Sequence, residues 1–572
     1  MVPLAAAAAL RCGSGGPGRT IVRLGAAFLA WTALTALVGV DRWYALAGTP
    51  ERHAGLLLWV LLALAFVTGV RAGRAGGGRG VAQGAALAAA VVGAWSTVEL
   101  LWRAPVVTDA AAGRLGGPFG SAAFLGAACC LLGPVAAGVA FDRATARSWR
   151  AVGLVGASGS LAGLAGSGTR GAWLGATAAT VAVAAARWPA VRRRWRGVTG
   201  VVLAALALGA LVAVSGPRHG PGATVLRRTT SDTARLDEWR IAWRAVLDRP
   251  ILGTGPEGYR VVFPRLVDDR YERTYGRTVI PDRAHDAVLD VVVAVGVPGL
   301  LLYLALLATV GRSVVRALRR GDAVLAGTAV GLVAYVAQQV VLFPLAELEP
   351  VAWLLAGVVV AADAGAVAER APARAAATVL GALAVLAAVA GALDLAADRS
   401  VRTALAGGRT PAVIAAAGRR AAVLRPDQVR YRIAAARALA PVDRAAALAQ
   451  LDAAAHLSPH EPALAVERAE LVATVPAWRA ALATDPRRGA SWLQLGLAAA
   501  SAGDPGTAAQ AWARAGELAP RDPVPWLDLA LLALDQGRLA DARAALAQAT
   551  ARAAPGDARI AGLAAEVARR GG

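Results

Sequence analysis

Apolar runs long enough to cross a bilayer recur through the first two-thirds of the chain. They fall near residues 20–40, 54–70, 81–102, 118–141, 151–167, 171–187, 197–215, 286–310, 323–343, 350–367 and 375–395. Each has roughly the 17–25 residues that a spanning helix needs, so the pattern predicts a polytopic bundle of about eleven helices over 20–395. A polar stretch at 216–285 interrupts it. Beyond about residue 400 the apolar positions take helical spacing in Ala-rich segments punctuated by Pro426, Pro459, Pro486, Pro520 and Pro555, which are 33, 27, 34 and 35 residues apart.

Two of these punctuated units align residue by residue. Trp492, Leu495, Gly496, Ala508, Trp512, Ala515 and Pro520 are followed by Trp526, Leu529, Ala530, Ala542, Leu546, Ala549 and Pro555. A period of about 34 residues with these types resembles the tetratricopeptide repeat, a helix–turn–helix unit whose small residues allow close packing. The expected fold class is therefore all-α: a membrane helix bundle followed, over 400–572, by an α-solenoid of tetratricopeptide-like repeats. Such arrays bind proteins or position a neighbouring domain, which makes a protein partner one expectation and a packing spacer the other.

Charge orients the bundle. With residues 1–19 placed as a cytoplasmic tail, the even-numbered gaps hold Arg71/Arg74/Arg79, Arg143/Arg147/Arg150, Arg187/Arg192/Arg193/Arg194/Arg196, Arg312/Arg316/Arg319/Arg320 and Arg370/Arg374. The odd-numbered short gaps are poorer, with Arg42/Arg52, Arg103/Arg114, Arg170 and none in 343–350. This asymmetry follows the positive-inside rule. It predicts that the loop 216–285 and the repeats 400–572 both lie outside the cytoplasm.

Composition agrees. Of the 572 residues 57% are hydrophobic and 17% charged, and 16 Trp outnumber the 7 Phe and 7 Tyr. Mean hydropathy is +0.52, so a soluble multidomain protein, a disordered chain and a disulfide scaffold are excluded, and membrane lipids are the surroundings. The net charge of +22 is carried without any Lys. Its arginines fall between apolar runs and not on one face or arm, which excludes a nucleic-acid binder. Cys129 and Cys130 lie inside an apolar run and read as small buried hydrophobes.

Four outer positions carry possible chemistry. Gly168-Thr169-Arg170-Gly171 is a tight turn whose Arg170 is either a snorkelling anchor or an anion ligand. Arg235-Leu-Asp-Glu-Trp239-Arg240 is a helical segment in which Arg235 and Trp239, four apart, share a face; it suits a bilayer-surface anchor or a phosphorylated lipid. Gly253-Thr-Gly255-Pro-Glu-Gly258 lacks the strand–helix context of a dinucleotide fingerprint and reads as a turn; no cofactor is indicated. His285-Asp286 precedes Gly296-Val-Pro-Gly299 and a long apolar helix. His285 is either a proton acceptor or a first-turn residue behind an Asp282 cap, with Asp286 favoured by the helix dipole. Glu99, beside Trp95 and Trp102, reads as a solvated helix end; Glu99, Asp286 and Asp290 are also possible substitutes for His285 as the base.

Together, Gly-Thr-Arg-Gly, Arg-x3-Trp with Pro-x2-Gly-x-Gly-Pro, and His-Asp-x9-Gly-x2-Gly occur in order across a large outer loop. This arrangement, over roughly residues 150–345, resembles the O-antigen ligase and polymerase superfamily of membrane glycosyltransferases. Thr169 stands where the family commonly has Ser, and Asp286 where it commonly has an amide or Ser. The resemblance implies metal-independent transfer of a glycan from a polyprenyl diphosphate carrier to a hydroxyl of a glycan, lipid or protein acceptor. In it His285 is catalytic, and Arg170, Arg235, Arg240, Trp239, Glu99 and Asp286 bind substrate. The same outer arginines would also suit a transporter or flippase of lipid-linked sugars, although a transporter's charges belong near mid-membrane; a membrane-anchored repeat scaffold is the third reading. Every candidate precedes residue 400, so the sequence predicts that some transfer chemistry survives removal of the repeats.

Overall fold

In the computed structural model, residues 17–49, 52–102, 114–187, 230–277, 281–364, 374–405 and 408–571 are described, and all their regular secondary structure is helical. The seventh predicted span at 197–215, Arg192, Arg193, Arg194 and Arg196, and the start of the predicted tail lie outside the described residues. The chain divides into two compact units. One comprises Met1–Val38, Leu46–Pro256 and Arg283–Ala371; the other comprises Gly39–Ala45, Glu257–Asp282 and Pro372–Gly572.

Among the described residues of the first unit, six helices are long and apolar enough to cross a membrane: Thr20–Val38, Leu56–Arg74, Gly78–Leu101, Ala122–Phe141, Ala287–Arg319 and Ala323–Val341. The runs predicted at 151–167, 171–187 and 350–367 are also helices, Arg147–Ser167, Arg170–Ala186 and Glu349–Ala364, but they are shorter or less apolar. Ala122–Phe141 is the buried centre, with Leu125, Leu131, Val135 and Val139 fully enclosed. It packs on Gly78–Trp102, Arg147–Ser167, Arg170–Ala186 and Ala323–Gln338. Small residues let these helices approach closely, as expected where lipid supplies no hydrophobic drive between helices: a Cβ on Gly93 would stand 2.6 Å from the Gly159 backbone. Cys129 and Cys130 are buried free thiols, as the apolar run implied.

In the second unit ten helices run from Pro411 to Gly571, each of 10–14 residues and packed mainly on its neighbours in sequence. The aligned tryptophans lie over glycines. A Cβ on Gly496 would meet the Trp512 ring at 2.3 Å, and one on Gly516 the Trp526 ring at 2.7 Å. The predicted last span, 375–395, is part of one longer helix, Arg374–Leu405. From Asp394 onward that helix belongs to the repeat core: Asp394 and Asp398 take Arg425, Arg430 and Tyr431, and Ala397 is buried with Ala421 and Tyr431. The apolar stretch therefore ends before Asp394 and not at 395.

Candidate active site

Helix Ala287–Arg319 is broken at Gly296 (φ 68°, ψ 179°), and Pro298 follows inside it. Pro298 has no N–H, so the Ala294 carbonyl loses its helical donor. The turn after helix Thr230–Asp248 replaces it. Gly255 N donates to Ala294 O at 2.9 Å, Thr254 N donates to Val293 O at 2.8 Å, and Val297 N donates to Pro250 O at 2.8 Å. Trp31 Nε1 takes the Val295 carbonyl at 2.7 Å. The Gly253–Gly258 segment is thus a turn, as expected, and its mate is the Gly296–Gly299 break. A Cβ on Gly296 would lie 1.9 Å from the Ile251 carbonyl oxygen.

This docking sets the start of the broken helix, where His285 lies. The N-cap is Asp286, whose Oδ1 accepts from Leu289 N at 2.9 Å, and not Asp282. His285 precedes the helix in the left-handed region, φ 57°. On its other side Ala284 N donates to Asp290 Oδ1 at 2.8 Å. His285 is therefore held between two hydrogen bonds of its neighbours, while its own ring is uncommitted to the cap. Asp286 and Asp290, proposed as substrate ligand and substitute base, each place one carboxylate oxygen on this scaffold.

Around the imidazole, Nδ1 lies 3.6 Å from Glu238 Oε2, and the ring meets the edge of Phe343 at 5.4 Å between centroids. Glu238 belongs to helix Thr230–Asp248 and lies three residues from Arg235, so the two share a face. Arg235 and Trp239 are half-buried on that helix, and Arg240 pairs with buried Asp237 at 3.2 Å. Trp243, four residues after Trp239, lies at the outer edge of that face: with Leu236 and Leu247 it forms an exposed apolar stripe, opposite buried Ile241, Ala242, Ala245 and Val246.

Phe343 also carries two guanidinium groups, Arg52 at 4.5 Å and Arg283 at 5.4 Å from its centroid, and it packs edge-on against Phe124. The segment holding Phe343 is anchored by Glu349, which accepts from Tyr335 Oη at 3.0 Å, Trp353 Nε1 at 2.9 Å and Gln339 Nε2. Phe124 lies in the first turn of the helix on which the Arg170 turn is pinned. Thr169 Oγ1 donates to Ala122 O and accepts from Arg114 Nη2, both at 2.9 Å, and Gly168 closes the preceding helix at φ 55°. Arg170 is the half-buried first residue of helix Arg170–Ala186. Contacts thus join Phe124, Phe343, His285 and Glu238, and the Arg170 turn is bonded to the same helix as Phe124 at Ala122, two residues away. Glu99 is not a solvated end: it is buried, and its two oxygens accept from Gly116 N at 3.1 Å and Gly117 N at 2.8 Å.

Sequence reasoning missed Glu238 and Phe343 as neighbours of His285, and Arg52 and Arg283 as neighbours of Phe343. Only Glu238 left a signal, its helical spacing from Arg235.

Residues 155–304 match the O-antigen ligase family. The matched stretch contains the Arg170 turn, helix Thr230–Asp248, the Gly253 turn, His285 and the Gly296 break; Glu99 lies outside it. No curated protein matches the chain. The match, in a chain whose described residues include six apolar helices of spanning length, supports a membrane glycosyltransferase-like ligase function in polysaccharide assembly, with lipid-linked glycan donors and glycan or lipid acceptors implied by the family.

Proposed function

We propose that the chain transfers a glycan from a polyprenyl diphosphate carrier to an acceptor hydroxyl at the outer face of the membrane. The observation that carries this reading is His285, locked in a left-handed conformation with a carboxylate opposite Nδ1. A proton on Nδ1, facing Glu238, leaves the Nε2 lone pair to accept the hydroxyl proton. The acceptor oxygen then bonds to the anomeric carbon as the bond from that carbon to the diphosphate oxygen breaks. The leaving diphosphate gains charge, which the guanidinium groups of Arg170 and Arg235 stabilise in this reading without a metal, with Arg240 as a further ligand. Trp239 and the exposed Leu236–Trp243–Leu247 stripe suit contact with the bilayer surface.

The outer placing of the repeats has its own support. Gly39–Ala45 and Glu257–Asp282, from two gaps that charge asymmetry puts outside, share one compact unit with the repeats. The tetratricopeptide type of those repeats rests on their period, the paired Trp–Gly packing and helices of 10–14 residues.

The test is transfer by purified protein from a lipid-linked donor to an acceptor sugar. His285→Gln is expected to lose transfer while donor binding persists, and Glu238→Gln to lower kcat about 10²-fold or more, the usual contribution of a positioned acid–base pair. Wild-type turnover by His285→Gln would remove the histidine from the mechanism.

A further inference from the structure

The repeats are not an open binding surface along their whole length, because residues Glu257–Asp282 of the large loop pack into the same unit. The contacts recur at intervals. Arg260 Nε pairs with Glu461 at 3.3 Å, and the same carboxylate takes Tyr44 Oη at 3.0 Å. Asp269 receives Arg487 at 3.2 Å and Arg514 at 2.9 Å. Arg273 Nε donates to Glu517 O at 3.0 Å.

The centre of the contact is buried. Arg277 grips Asp485 with both Nη atoms, at 3.1 and 3.0 Å, and its Nε donates to Glu272. Glu272 Oε1 in turn accepts from Gly489 N, the first residue of a repeat helix, at 3.2 Å. Arg277, Glu272 and Asp485 are respectively 4, 6 and 2% exposed. A bidentate guanidinium–carboxylate pair so enclosed is directional and costly to break from one side. Behind it Phe263, Tyr259 and Tyr271 stack edge-on and are buried, and Val261 joins Val429, Leu439 and Leu451 in the repeat core.

This segment lies in sequence between helix Thr230–Asp248, which carries Arg235 and Glu238, and His285. We propose that the repeat domain is an intramolecular clamp whose occupant is the chain's own loop segment 257–282, and that it acts on transfer by fixing that segment. The repeats are thereby positioning elements. The effect on catalysis rests on the proposed transfer reaction; the occupancy does not.

The test uses the full chain, with Arg277→Ala, Asp485→Ala, their double variant, and the milder Arg514→Ala at the half-exposed Asp269 contact. Hydrogen exchange across 257–282 is read together with kcat and the KM for the lipid-linked donor. Either buried substitution should raise exchange in 257–282 and lower kcat by about tenfold or more with donor KM little changed, and the double variant should be no worse than either single, because both remove one contact. Arg514→Ala should shift both in the same direction by less, and it decides the matter if the buried variants do not fold. Unchanged exchange in 257–282 would overturn the clamp, and raised exchange with wild-type kcat would overturn its role in transfer. A wild-type protein that transfers nothing would sink the transfer reading, while the exchange result would still decide occupancy.

Discussion

Holding a histidine at φ 57° costs roughly 1–3 kcal/mol of backbone strain, and the bonds from Ala284 N to Asp290 and from Leu289 N to Asp286 keep His285 there. The strain aims the ring at Glu238 in place of the helix end. Arg170 is tied by a similar device, since Thr169 spends its hydroxyl on Ala122 and Arg114. Arg170→Ala is expected to weaken donor binding by roughly 1.5–3 kcal/mol, the loss of one charge-assisted contact, at normal protein level, and Arg170→Lys to recover only part because ammonium cannot bind bidentately. A lipid-linked donor titration checks both. His285, Arg170 and Arg235 stood out in the sequence as residue types beside or within predicted helices. The cap was not, because Asp282 and Asp286 are equal as letters and only the left-handed turn at His285 chooses between them. Glu99 was misread because its partners are backbone amides of a glycine loop that no side-chain pattern reveals.

At the scale of elements, the Gly253 turn and the Gly296 break are two halves of one joint. Each was legible alone, as a turn and as a glycine–proline interruption. Their pairing was not, because it depends on the Ala294 carbonyl, freed by Pro298, and the Val293 carbonyl, freed because Val297 N turns to Pro250 O, both satisfied across about forty residues of chain. Gly296→Ala should therefore destabilise the protein by at least the roughly 1–3 kcal/mol of a glycine-only conformation, with the clash on Ile251 O added, and should abolish transfer. Gly311→Ala, in the same helix with open space around it, should be neutral or slightly stabilising. Thermal unfolding of both variants in detergent separates the two cases. Of the eleven apolar runs, ten correspond to helices; the exception lies outside the described residues. The last one was drawn too long because alanine carries apolar character through Asp394 into the repeats.

At the scale of the whole molecule, the repeat unit is expected to respond to pH through the buried Arg277 contact. Burial pushes the Asp485 carboxyl up from 3.8 to about 6, with Glu272 reinforcing and Arg277 and Arg488 opposing. A raised carboxyl binds its proton more tightly in the folded chain, so its contribution is full below about 4 and lost as pH rises through about 6. The repeat unit should accordingly be more stable at pH 5 than at pH 7, by up to roughly 3 kcal/mol over the full range, and Asp485→Asn should flatten the difference in denaturant unfolding followed by exchange in the repeats. Orientation is tested separately. A reporter active only outside the cytoplasm should work after Gly572 and fail near Arg194, and the reverse would overturn the outer placing of the loop and repeats. Finally, the helix Arg374–Leu405 leaves no hinge between its apolar stretch and the first repeats, since Ala397 and Asp398 already belong to their core. The two are in helical phase: each residue gained or lost before Asp394 would turn the whole array by about 100° and move it by about 1.5 Å. Length in this stem is therefore quantised, and a lineage could change it without twisting the array only in near-whole turns.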